Sequence, residues 1–327
     1  MIKFFRQSYI IQYVVIALMA IALWIPAFVS GKTAMGLGEP VSPLYNLMER
    51  LIGNYSWLQI GLAFLLLVFE ALIFNAIMVK NQIVGKVGTM GAFVFVLLMS
   101  STVTQTNFYP FALSTLFILL TISNLFDAYI LPNPEVNLLK SGVYVALASF
   151  CYFPSILLIL WMIIVLPVAK KGSLRLQLIP VFGFLFVYFL YFVCMFLFGN
   201  FNGLLHDYLY YFTSLKFSIE GFNLWNIILL SVLIISTILM LMGGNNSSFE
   251  KTVFVRTKIS MTLILAVFAM LTLFLGGNVL MNGLIFIVLS IMMSYAFSYM
   301  NNTGWANMFL TVFILWVFSN QYYFKLL

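Results

Sequence analysis

The feature that most constrains this chain is a succession of apolar runs, most near twenty residues long and almost free of charge, joined by short polar connections. About 20 apolar residues cross the hydrocarbon of a bilayer as a helix. Such runs consume nearly all of the 327 residues and leave no room for a soluble domain. Hydrophobic residues make up 64% of the chain and charged ones 7%, against roughly 25% charged in a soluble domain. Side chains of this kind need lipid as their solvent. The sequence therefore predicts an all-α, polytopic transmembrane bundle, a single domain over residues 1–327.

The formal charge of +7 fits lysines and arginines that hold cytoplasmic loops inside better than it fits a nucleic-acid partner. Lys3 and Arg6 precede the first run, residues 9–29. That run is too long for a signal-peptide core and lacks an Ala-x-Ala-like exit. It reads as an uncleaved first helix ending near Ile25-Pro26, with a cytoplasmic N-terminus. Cys151 and Cys194 sit inside apolar runs, with no metal or redox spacing, and read as small core residues.

The number of crossings turns on residues 141–175, SGVYVALASFCYFPSILLILWMIIVLPVAKKGSLR. One kinked span would leave Lys170, Lys171 and Arg175, the densest basic cluster, on the outside, against the positive-inside bias. Two short helices of about 13 and 15 residues meeting at Phe153-Pro154 return the cluster to the cytoplasm, shielded by neighbouring helices or a thinned bilayer. Further runs at 57–79, 89–103, 111–130, 176–198, 224–242, 261–275, 279–300 and 305–322 bring the total to about eleven segments and put the C-terminus outside. Residues 80–88, 131–140 and 243–260 become cytoplasmic connections, and the uncharged 104–110 an external one.

Two external loops carry amphipathic patterns. In the first, Ser42 suits an N-cap, Pro43 the first helical position and Gly53 the stop. Leu44, Leu47, Met48, Leu51 and Ile52 recur at helical spacing opposite Asn46, Glu49 and Arg50. In the second, Leu204, Leu205, Tyr208, Leu209 and Phe212 repeat helically, with His206, Tyr210 and Thr213 on another face. Both read as helices lying in the membrane interface.

Phosphate loops, Cys or His metal clusters, Gly-x-Ser-x-Gly and Asp-x-Asp are missing, and no cofactor is expected. Four acids fall on the external side: Glu39, Glu49, Asp207 and Glu220. There a carboxylate could serve as general base while Lys32, Arg50 and Lys216 bind the phosphate of a lipid headgroup. Inside the second helix lie Glu70 and Asn75, about 140° apart around the axis. A charge at that depth costs about 2.5 to 3.5 kcal/mol, so Glu70 is neutralised, paired or turned to a cavity.

The order of these features resembles the GT-C type of membrane glycosyltransferase. A segment of the form GLLLGLAxLxxP in that superfamily has its counterpart in GVYVALASFCYFP at 142–154, followed by the apolar run 155–169 and then Lys170 and Lys171. Most of the chain also resembles a family of polytopic inner-membrane proteins of Bacteroidota. The GT-C likeness implies transfer or polymerisation of a polyprenyl-phosphate-linked sugar at the external face, with Glu39 standing for the acidic residue of the first loop and Asp207 or His206 assisting. Two other readings stay open. One is a transporter or flippase working through Glu70 and Asn75. The other is a non-catalytic subunit of an envelope complex that packs against other membrane proteins.

Overall fold

The computed structural model describes residues 2–7, 9–31, 41–53, 55–85, 88–102, 104–199, 201–214, 231, 235, 253–275, 283–300 and 303–324. Every described element is helical. In chain order they are α1 (Ile2–Phe5), α2 (Ile10–Ser30), α3 (Pro43–Ile52), α4 (Ser56–Lys80), α5 (Met90–Met99), α6 (Pro110–Ile130), α7 (Glu135–Cys151), α8 (Leu157–Val168), α9 (Leu174–Leu197), α10 (Phe201–Ser214), α11 (Val253–Leu275), α12 (Gly283–Tyr299) and α13 (Thr303–Ser319), which runs on into a π turn at Asn320–Phe324. Five of them, α2, α4, α6, α9 and α11, are long and apolar enough to cross a membrane. The expected helix at 224–242 lies outside the described residues apart from Ser231 and Ile235, which are helical.

Two short helices form the axis of the bundle. All ten residues of α5 are buried, as are Gly283 to Phe297 of α12. A helix that is apolar on every side belongs inside other helices. Around this pair the longer helices bury one face and leave the other to lipid: α9 keeps Pro180, Gly183, Phe184 and Tyr188 inside and exposes Phe182, Phe186 and Phe189.

Hydrogen bonds between distant segments identify the N-terminal end of the bundle and the direction of its last helix. At the N-terminal end Ile2 N donates to Asn307 Oδ1 at 2.9 Å and Thr89 N to Phe5 O at 3.0 Å. There too Arg6 Nη2 donates to Phe297 O at 2.9 Å and to Met300 O at 2.7 Å. Further along, Tyr322 Oη donates at 2.6 Å to the carbonyl of Ala22, about midway along α2. Helix α13 therefore starts beside the N-terminus and runs away from it, although residues 301–304 carry no charge to hold its start inside.

The chain does reverse at Phe153-Pro154. A 3-10 turn at Phe153–Ile156 joins α7 to α8, and Lys171, just past α8, donates to the Leu131 carbonyl at 3.0 Å. The end of α8 thus returns to the level at which α7 began. On its other side α7 crosses α9 at very close range. A Cβ on Gly142 would collide with the Pro180 carbonyl, and one on Gly183 would sit 2.5 Å from Leu139 O. Small residues let backbones approach in this way where lipid supplies no hydrophobic drive between helices.

Several expected boundaries move. Helix α7 begins at Glu135, not at 141, so most of the expected turn at 131–140 is helical. Pro134 serves as its N-cap position, and the first-turn Glu135 complements the helix dipole. Helix α11 starts at Val253, which takes Arg256 and Lys258 out of the expected connection and into a helix. Pro26 does not end α2, which continues to Ser30 and stops at Gly31 with φ of 56°. Helix α5 ends at Met99, short of the expected 103.

Candidate functional site

The largest departure from expectation is the connection after α5. A helix of ten residues rises only about 15 Å, so α5 leaves its chain within the bundle, where the sequence turns abruptly from MGAFVFVLLM to Ser100, Ser101 and Thr102. Non-helical backbone is tolerated at membrane depth only where protein covers it or a cavity receives it. Here Ser100, Ser101, Thr102, Gln105, Thr106, Asn107, Phe108 and Tyr109 are all buried. Gln321 Nε2 donates to Ser100 O at 2.7 Å and Asn320 Nδ2 to Ser101 O at 2.6 Å, so the C-terminal turn caps carbonyls at the end of α5. Trp24 Nε1 donates to Ser100 Oγ at 3.0 Å from α2. Tyr45 of α3 stacks on Phe108 and donates to its carbonyl at 3.2 Å. Burial, with Glu49 nearby, pushes the Tyr45 phenol above its ordinary range, so it acts as a neutral donor.

Glu70 joins this polar nest. It lies 14 residues into α4, roughly 21 Å along the axis, and is 3% exposed. With Gln105, Trp24, Tyr109 and Thr115 it lines a cavity of about 20 Å³, room for a single water. Among the described residues Glu70 Oε1 and Gln105 Nε2 have no hydrogen-bond partner. The orientation of Gln105 is fixed, because its Oε1 accepts from Thr102 N and from Ser101 Oγ, both at 3.2 Å. Its amide nitrogen is thereby left for the cavity. A donor facing a carboxyl across such a space suits a bridging water or a neutral acid, and it disfavours a metal cation.

Asn75 does different work. Its Nδ2 donates to Gly88 O at 3.1 Å and to Tyr13 Oη at 3.3 Å, and its Oδ1 accepts from Ala92 N at 3.3 Å. It ties α4 to the start of α5 and to α2, on a different face from Glu70.

The external residues are only partly brought together. Lys32, Glu39 and Lys216 lie outside the described residues, as does Glu220. Asp207 and His206 are adjacent and exposed on α10, with the His206 ring parallel to Tyr210 at 6.5 Å. Tyr208 turns the other way and packs edge-on against Phe153, centroids 5.6 Å apart, which seats α10 over the α7–α8 turn. Burial, then the neighbouring Tyr188 and Tyr191, raise the Tyr208 phenol well above its usual range. Arg50 is exposed on α3, which docks through buried Tyr45 while Leu47 and Leu51 stay outward. The described residues therefore supply one carboxylate and one imidazole on α10, and the Glu49 carboxylate and a guanidinium on α3. They bring no three His, Cys, Asp or Glu side chains into one cluster.

Beside the Gly142–Gly183 crossing, the lipid-facing surface of α7 and α9 holds an open groove of about 490 Å³. Leu139, Val143, Leu185, Phe182, Phe186 and Phe189 line it, with almost no polar surface. The phenylalanines recur at i, i+4 and i+7, and the same stripe continues through Val193 and Phe196 towards α10.

Searches of protein-family models, curated proteins and solved structures found no match to this chain.

Sequence reasoning missed Gln105, Ser101, Thr102, Asn320 and Gln321 as parts of an intramembrane nest. The signal was the uncharged polar run SSTVTQTN placed directly after an apolar run too short to cross.

Proposed function

We propose that this protein handles a polyprenyl-phosphate-linked sugar at the external face of the bacterial inner membrane, on a GT-C-like scaffold with its N-terminus in the cytoplasm. The N-terminal end of the bundle carries Arg6, Lys80, Lys170, Lys171 and Lys258, which supports that orientation through the positive-inside bias. The observation that carries the reading is the lipid-open apolar groove between α7 and α9, whose phenylalanine stripe leads to the helix bearing Asp207 and His206. A prenyl chain would lie along the stripe and present its phosphate at the outer surface, where Arg50, Lys32 and Lys216 are the candidate cations. Asp207 and Glu39 are the candidate bases and His206 the assisting group. Photocrosslinking with a diazirine-bearing polyprenyl phosphate tests it. The label is expected on residues 182–196, competed by unlabelled polyprenyl phosphate and not by phosphatidylglycerol, and weakened in Val143→Trp. Equal competition by both lipids would reduce the groove to ordinary lipid contact. Catalysis is tested separately: unchanged surface glycans in a Glu39→Gln, Asp207→Asn double variant, where a deletion strain loses them, would leave a non-catalytic subunit.

The Glu70 nest favours a second reading, proton-linked transport, because transporter sites form at broken helices near the midplane and α5 is such a half-helix. Leu66 and Ala112, which line the cavity, are only half-buried from the lipid side. A neutral carboxylic acid reached through lipid reacts with dicyclohexylcarbodiimide: the acid proton moves to one nitrogen and the carboxyl oxygen bonds the central carbon, and rearrangement leaves a stable N-acylurea. One adduct on Glu70, absent in Glu70→Gln, is the expected mass-spectrometric result. Substrate movement unaffected by both the reagent and the substitution would dismiss transport through this site.

A further inference from the structure

The N-terminal end of the bundle holds a separate cavity of about 160 Å³, lined among others by Lys80, Asn81, Ile130, Phe254 and Lys258. Lys258 is 2% exposed, and its ammonium stands 6.0 Å from the centre of the Phe126 ring. Among the described residues its side chain makes no hydrogen bond or ion pair, since Asp127 is taken by Lys80 at 2.7 Å. Asn81 is 1% exposed; its Nδ2 donates to Ile77 O at 2.8 Å, and its Oδ1 has no partner among the described residues. Among the described residues, the cavity and its immediate surroundings therefore offer two ammonium groups against the one carboxylate of Asp127, and one unsatisfied acceptor. Buried charges persist where a counter-charge meets them, and the surplus here is positive. At its rim Ile130 and Phe254 are 51% and 49% exposed, apolar side chains at the ends of two spanning helices.

We propose that this cavity binds the phosphate of an anionic glycerophospholipid, with the oxyanion on Lys258 and Lys80, a headgroup hydroxyl on Asn81 Oδ1 and the acyl chains over Ile130 and Phe254. Phosphate oxygens can bridge two cations through charge-assisted hydrogen bonds, and basic pockets between spanning helices are a recurrent form of lipid-headgroup site. Free phosphate shares the oxyanion chemistry but gives the apolar rim no part. The site lies at the opposite end of the bundle from α10 and does not depend on the groove between α7 and α9.

Native mass spectrometry of the full-length protein, titrated with phosphatidylglycerol, phosphatidylcholine or inorganic phosphate, tests the inference. Phosphatidylglycerol should bind and phosphatidylcholine should not. Lys258→Met should weaken phosphatidylglycerol roughly tenfold, the loss of one charge-assisted bond, while Lys258→Arg retains it. If Lys258→Met fails to fold, Lys80→Ala combined with Asn81→Leu provides the same comparison. Equal binding of both lipids, an unchanged affinity in the folded variant, or displacement of the lipid by low-millimolar inorganic phosphate would each overturn it.

Discussion

Single residues carry the closest tolerances of this bundle. Gly142 and Gly183 hold α7 and α9 at backbone contact, so Gly142→Ala should destabilise the protein by roughly 1 to 3 kcal/mol through overpacking. Gly61, on α4 where a side-chain methyl would meet nothing within 4 Å, is the control; Ala there should be neutral or stabilising by up to about 1 kcal/mol. Thermal unfolding in a mild detergent separates the two. Asn75 and Asp127 make a second contrast. Asn75→Leu leaves the Gly88 carbonyl and the Ala92 amide without their partner, a loss of roughly 1 to 3 kcal/mol. The Lys80–Asp127 pair has side chains 61% and 22% exposed, and Asp127→Asn should shift stability by less than about 1 kcal/mol. Asn75 was legible as a polar residue inside an apolar run. Its role was not, because the groups it joins come from Gly88, Ala92 and Tyr13 on other segments.

Among the elements, the α7–α8 hairpin was the most fully readable, since proline chemistry and the placement of Lys170 and Lys171 together require a reversal. Its boundaries were not, because a helix that starts at Glu135 within a polar stretch gives no apolar signal. In a background lacking Cys151 and Cys194, Asn202→Cys on α10 should react with a membrane-impermeant maleimide in intact spheroplasts, and Lys171→Cys only after permeabilisation. Labelling of Lys171→Cys from outside, with Asn202→Cys reached only after permeabilisation, would mean that residues 135–168 cross once. The first amphipathic helix was read at its observed bounds, Pro43–Ile52, yet Tyr45, which anchors it, was absent from the expected apolar face. Docking on Phe108 chose the buried side, and no periodicity within α3 could announce that.

For the whole molecule, the C-terminal turn acts as a plug: Asn320 and Gln321 satisfy carbonyls left open by the short α5. Replacing both by Leu should lower stability by roughly 2 to 4 kcal/mol, about 1 to 2 for each buried carbonyl left without a partner. It should also open Thr102→Cys to small thiol reagents, whereas an unchanged melting curve and a silent cysteine would argue that water or another group replaces the amides. By itself the sequence determined that this is a helical membrane protein, that the chain turns back at Phe153-Pro154 and that Glu70 must be neutralised or enclosed. These follow from the cost of charge and unpaired backbone in lipid, which acts on each segment alone. Only the tertiary structure decided that α5 stops inside the bundle, that Ser100 to Thr102 and Gln105 to Tyr109 are buried and that Gln105 faces Glu70 across one small cavity. Those depend on which distant segment supplies each hydrogen-bond partner, and the packing of α2, α4, α12 and the C-terminal turn around α5 makes that choice.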